Sequence, residues 1–133
     1  MHKGTIAVSS SQKMEFIDIT NQINTAIGKS GCQSGICYLF NPHTTAAVTI
    51  NEGADPAVQE DLINIFGRMV PDDCHYTHLE GNSPAHAMTA MVGSSAMVFV
   101  EEGRVQLGTW QRIFFCEFDG PRSRKLHWRL NEE

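Results

Sequence analysis

No stretch of the chain approaches the roughly 18–20 consecutive apolar residues that span a bilayer, and the opening residues MHKGTIAVSS lack the apolar core of a secretory signal. Neither a membrane-spanning nor an exported protein is expected, and a cytoplasmic location is the simplest reading. A basic excess is missing too. Ten Lys and Arg stand against fifteen Asp and Glu, giving a net charge of -5 and a pI near 5.6, with no long run of either sign. Binding of nucleic acid or an anionic membrane through a global positive field is thereby disfavoured. Walker-type and dinucleotide-binding glycine motifs are absent, so no nucleotide cofactor is expected, and HExxH does not occur. There are no internal repeats, low-complexity segments or linkers. Cysteine is limited to Cys32, Cys37, Cys74 and Cys116. In a chain of this size without a secretion signal they read as reduced thiols, with Cys37 and Cys116 as small core residues. Cys74 adjoins His75 and is the one with a metal-binding alternative.

What is present suffices for one compact domain, 1–133: the chain has 133 residues and is 41% hydrophobic. Gly4 to Ser10 and Met14 to Thr20 alternate and are separated by polar SSQK, which suggests an antiparallel pair. Thr20 is placed to cap a short helix over Asn21 to Ile27, and GICYLF (Gly35 to Phe40) reads as a buried strand. A strand of small and β-branched residues follows His43. Asp55-Pro56 is a cap-plus-proline helix start, and Val58, Leu62, Ile65, Phe66 and Met69 form its apolar stripe. Ser83-Pro84 starts a second such helix. Strands flank the EEG turn, and WQRIFFCEF and Lys125 to Leu130 supply the last two. Mainly antiparallel strands interrupted by two or three helices predict an α+β fold.

Chemistry-bearing residues are scattered. Of the six histidines, His43, His75, His78 and His86 fall in or beside loops and helix starts. His86 lies in the first turn after Ser83, where free backbone N–H groups attract anions. For any one of them an ordinary hydrogen-bonded histidine is the commoner explanation, and the spacing of His75, His78 and His86 matches no standard zinc template. Asp55 is explained first as a helix cap. Glu52, at the end of a buried strand, needs a partner or an exposed cleft. Glu117 interrupts IFFCEF, and either points to solvent or sits inside against a cation, metal or histidine. Arg104, Arg112, Arg122, Arg124 and Lys125 could clamp a phosphate, although basic residues in turns are usually just solvated. Trp110 and Gln111 could stack on and bond to a ring, while a core tryptophan is the commoner case.

Three segments together resemble a known family. SSAMVFVEEGRVQLGTWQRIFFCEFDGPR, HTTAAVTINEGADPAVQEDL and YTHLEGNSPAH are similar to the conserved blocks of the YjbQ-type family of secondary thiamine-phosphate synthases. The resemblance implies a homotrimer of α+β subunits that acts on a small phosphorylated metabolite. It also implies a site drawn from His43, Thr44, Asn51, Glu52, Asp55, His78, His86, Trp110, Gln111 and Glu117. Arg112 and Arg122 are the expected phosphate contacts. The implied reaction joins a pyrimidine pyrophosphate to a thiazole phosphate and releases pyrophosphate. In it His43, His78 and His86 serve as proton-transfer groups or as ligands of a divalent metal, zinc or magnesium, with Glu52 or Glu117 orienting them. Met88 and Phe118 depart from the family pattern, where a lysine and, in some members, a histidine stand. Two other readings use the same residues: a non-catalytic metal- or phosphometabolite-binding trimer, and a metal-dependent hydrolase.

Overall fold

Alternating side chains sort eight strands into two antiparallel sheets. A computed structural model, which describes residues 2–133, runs in the order β1 (His2–Ser9), β2 (Glu15–Asp18), α1 (Thr20–Ser30), β3 (Gly35–Phe40), β4 (Ala46–Glu52), α2 (Pro56–Met69), α3 (Ser83–Val92), β5 (Ser95–Glu101), β6 (Arg104–Val105), β7 (Gln111–Glu117) and β8 (Ser123–Glu132). One sheet has five strands in the order β1-β8-β3-β5-β6, and the other has three in the order β2-β7-β4. The fold is the expected α+β. No helix among the described residues is long and apolar enough to cross a membrane.

The first two strands do not pair with each other. β1 joins β8, with Ile6 opposite Leu126, and β2 joins β7, with Phe16 opposite Cys116. Their apolar faces belong to different cores, so SSQK carries the chain from one sheet to the other and makes no hairpin. Ile6 and Val8 meet Cys37, Leu39, Val98, Val100, Leu126 and Leu130 in the larger core, between the sheets and under Ile23 and Ile27 of α1. Phe16 instead packs with Phe66, Phe114 and Phe118 in the smaller core, together with Ala85 and Met88 of α3. β7 separates the two, with Ile113 and Phe115 on one face and Phe114 and Cys116 on the other. This is why its sequence is almost continuously apolar. Truncating Phe115, which is fully buried, to alanine would cost about 3–5 kcal/mol.

Helix starts follow the expected chemistry at one of three places. Asp55 Oδ1 accepts the Ala57 amide proton at 2.9 Å, capping α2 with Pro56 in its first turn. α1 begins at Thr20, and the Thr20 hydroxyl accepts from the Ile113 amide at 2.8 Å instead of capping. α3 takes Asn82, not Ser83, at its N-cap position and has no side-chain cap. The apolar stripe of α2 is present but only partly covered, through Phe66 against Phe16 and Phe118. None of its residues is buried, and Ile65 and Met69 are 48% and 58% exposed. The outer face of the five-stranded sheet is likewise bare at Tyr38, Phe40, Met97 and Phe99.

Candidate functional site

The loop between β3 and β4 carries the first site residue. Asn41, 1% exposed, locks that loop by accepting the His43 amide proton at 3.1 Å and donating to the carbonyls of His43, at 3.0 Å, and Ala46. Thus held, His43 accepts the Lys125 amide proton on Nε2 at 2.9 Å and stands edge-on to Phe115. Burial, reinforced by the nearby Arg124 charge, pushes its pKa below the ordinary 6.5. The Lys125 N–H also takes up the lone pair that protonation would need. The neutral ring therefore carries its proton on Nδ1.

Beneath His43 lies a buried ion pair. Glu117 shares a face of β7 with Ile113 and Phe115, and Arg124 shares a face of β8 with Leu126 and Leu130, so strand alternation aims both between the sheets. Arg124 Nε donates to Glu117 Oε1 at 2.8 Å, and its Nη2 donates to the other carboxylate oxygen and to the Thr45 hydroxyl at 2.8 Å. The Ser10 hydroxyl and the Asp119 amide complete the carboxylate's partners, at 2.7 and 3.0 Å. Burial opposes the charge of Glu117, but Arg124 and these donors outweigh it and hold the carboxyl below its usual range. Of the two settings open to Glu117, the interior one with a cation is realised.

Over this pair opens a cleft of about 320 Å³ lined by His43, Thr44, Thr45, Glu80, Asn82, His86, Arg122 and Arg124. The Arg122 guanidinium is tied to Asp119 at 2.9 Å and lies 3.9 Å from Glu80. Among the described residues neither Arg122 nor Arg124 finds a hydrogen-bond partner for Nη1. His78 packs at right angles to His86, ring centres 5.4 Å apart. Past His43 and His86 the cleft runs into a more apolar recess of about 530 Å³ bounded by Phe40, Pro42, Thr89 and Gly93. A larger groove, about 830 Å³ between β1 and α1, lies elsewhere. His2 is its only histidine and it has no carboxylate, so we set it apart from the site.

The other expected residues gather at the far end of the small sheet. Asn51 pairs with Arg112 and Glu52 with Gln111, six residues along β4 from the Ala46–Glu117 pair near the cleft, or about 20 Å at 3.3 Å per residue. There Glu52 accepts the Ala54 and Asp55 amide protons at 2.8 and 2.9 Å, which supplies the partner its position requires. Arg112 donates to Asp18 and Asn21, at 2.7 and 3.1 Å, and Gln111 accepts from the Gly108 amide at 2.8 Å. Trp110 is 63% exposed, which excludes the core role that is common for tryptophan. Within one chain His43 and His86 therefore share a cleft that Glu52 does not reach.

A three-histidine metal centre does not fit this chain taken singly. No three His, Cys, Asp or Glu side chains gather closely enough to hold an ion among the described residues, and His43 presents an engaged Nε2 and a protonated Nδ1. Cys74 is exposed and belongs to no such cluster. Met88 and Phe118 pack together in the smaller core, so both departures from the family pattern fall in one apolar patch. Asn41, Thr45 and Asn82 were not picked out as site residues by the sequence. Arg124 stood there only as one of five candidate phosphate clamps, and its place on the apolar face of an alternating strand is the signal that marks it as interior.

Fold and cleft together define the class: a two-sheet α+β protein with a polar cleft where two arginines and two histidines converge. The chain belongs to the YjbQ family, since the family model described as UPF0047 protein YjbQ-like matches residues 4–133. It is 45% identical over 123 residues to a UPF0047 protein of Methanocaldococcus jannaschii, covering 92% of this chain and 89% of that one. It is 42% identical over 127 residues to YugU of Bacillus subtilis, covering 95% and 96%. A crystal structure of a Clostridium acetobutylicum family member superposes with a TM-score of 0.92 at 43% identity, over 96% of this chain and 98% of that one. A hypothetical protein from Aeropyrum pernix superposes at 0.94 with 32% identity over the full length of both.

Proposed function

We propose that the protein is a transferase resembling thiamine-phosphate synthases, which joins a pyrimidine pyrophosphate to a thiazole phosphate and releases pyrophosphate. The observation that supports this reading is the convergence of Arg122, Arg124, His43 and His86 on one cleft. In such a reaction the thiazole nitrogen gives its lone pair to the exocyclic carbon of the pyrimidine. The carbon–oxygen bond breaks, and its electron pair departs on pyrophosphate. Charge grows on the leaving oxygens, where each preorganised donor is worth about 3–4 kcal/mol. Arg122 and Arg124 offer Nη1 protons, Thr44 a hydroxyl and His43 its Nδ1 proton. No step is assigned to a metal of the protein itself. Purified protein given both precursors, with magnesium to accompany the pyrophosphate ester, should form thiamine phosphate above a His86→Ala control. No product above that control would sink the reading.

One observation favours a second reading, a non-catalytic phosphometabolite-binding protein. Glu117 is fully engaged and Glu52 is remote, so Glu80 is the only carboxylate lining the cleft. Thermal stabilisation by phosphorylated precursors without turnover would select it. A hydrolase ranks last, because the cleft offers little to activate water, and only water-derived oxygen in a product would revive it. We place the protein in the cytoplasm, where thiols stay reduced, as a homotrimer.

A further inference from the structure

Two buried side-chain polar atoms among the described residues have no hydrogen-bond partner, Asn82 Oδ1 and Thr89 Oγ1. Both line the cavities already described, Asn82 the cleft and Thr89 the recess. With His86 between them they stand at i, i+4 and i+7 on α3, one face of a helix with 3.6 residues per turn. Thr89 is only 7% exposed. A threonine inside a helix ordinarily bonds back to the carbonyl four residues earlier, and this hydroxyl does not. Buried polar groups left open in this way are rare in folded proteins, and each calls for an explanation. The walls around Thr89 are otherwise largely apolar, with Phe40, Pro42, Ala90 and Gly93 among them.

We propose that the recess takes the organic part of a phosphate ester, a small and mostly apolar ring bearing one hydrogen-bonding atom, and that the Thr89 hydroxyl reads that atom. This rests on the anion reading of the cleft, where the phosphate sits between His43, His86 and the arginines. Thr89 then sets specificity, and the stripe of α3 spans both halves of the ligand.

Calorimetric titration with inorganic phosphate, benzyl phosphate and the three isomers of pyridylmethyl phosphate tests it. Wild-type protein should bind benzyl phosphate more tightly than inorganic phosphate, and at least one pyridylmethyl isomer more tightly still. Thr89→Val should weaken that isomer about five-fold, leave benzyl and inorganic phosphate within about two-fold, and unfold no earlier than wild type. Thr89→Ser should restore the preference. Equal affinity of wild type and Thr89→Val for every isomer would overturn the proposal, as would benzyl phosphate binding no better than inorganic phosphate. If inorganic phosphate binds and the esters gain nothing, the recess falls and the anion cleft stands. If no phosphate binds but uncharged pyridylmethanol does, and loses affinity in Thr89→Val, the anion cleft falls and the recess stands.

Discussion

The Lys125 amide donates to Nε2 of His43 at 2.9 Å, joining the start of β8 to the loop before β4 across 82 positions of sequence. That bond favours the neutral ring, and burial and the Arg124 charge push the same way. A titration followed by NMR should place His43 below the ordinary 6.5. The sign for stability follows by linkage. With a folded pKa below the unfolded one, the unfolded chain binds more protons in that window. The contribution is complete above about pH 6.5 and is lost as pH falls toward the folded value. Urea unfolding at pH 7.5 and 5.5, compared with His43→Asn, should show the wild type losing its margin at the lower pH.

Glu117 and Arg124 make the costliest pair to break. Neither is meaningfully exposed, and removing one partner of a buried ion pair costs about 3–5 kcal/mol because the other charge is stranded. Glu117→Gln and Arg124→Met should each lose stability of that order by denaturant titration, whereas the double variant Glu117→Leu, Arg124→Met should recover a large part. The carboxyl is held below its usual pKa, so its contribution is present above the unfolded value near 4.5 and is lost as pH falls through the folded one. A single variant no less stable than wild type would contradict the pair's role as anchor of the cleft floor.

Local patterns announced much of this architecture. Apolar runs marked β3 and β7, alternation marked β8, and the Asp55-Pro56 pair marked the start of α2 because cap and proline act within one turn. Partner choice was not legible. β1 and β2 look like a hairpin until Phe16 is seen to belong with Phe66 and Phe118, contacts up to 102 positions away that no short window contains. At the site, His43 and His86 share a cleft through such long-range packing, and Glu52, nine residues from His43, is carried off by the length of β4 itself. Glu117 could be weighed but not decided from sequence, since its partner Arg124 lies across a turn on the facing strand.

Thiol chemistry should separate the four cysteines. Cys37 is buried with its pKa pushed up to about 12, burial raises Cys116 as well, and Cys32 is buried too. Only Cys74 is exposed. A thiol-reactive dye should label one group per native chain within minutes and four after denaturation, with Cys74→Ser abolishing the native signal. Fewer than four after denaturation without reductant would reveal a disulfide.

The bare apolar faces bear on the cleft as well as on assembly. Tyr38, Phe40, Met97 and Phe99 are each about half exposed, and Phe40 also forms a wall of the recess. An apolar patch of this kind usually marks an interaction surface on a folded protein. Covering it with a neighbouring copy would bury aromatic area at about 25 cal/mol per Å² and close the recess in the same event. Light scattering should then find about three times the 14.8 kDa chain mass. Tyr38→Glu with Phe99→Glu should yield monomers that keep native circular dichroism. Because those substitutions leave Thr89, His43 and His86 untouched, weaker binding of benzyl phosphate by the monomer, with inorganic phosphate less affected, would tie the recess to the interface. A wild-type monomer at micromolar concentration would refute the assembly and leave the cleft as a single-chain site.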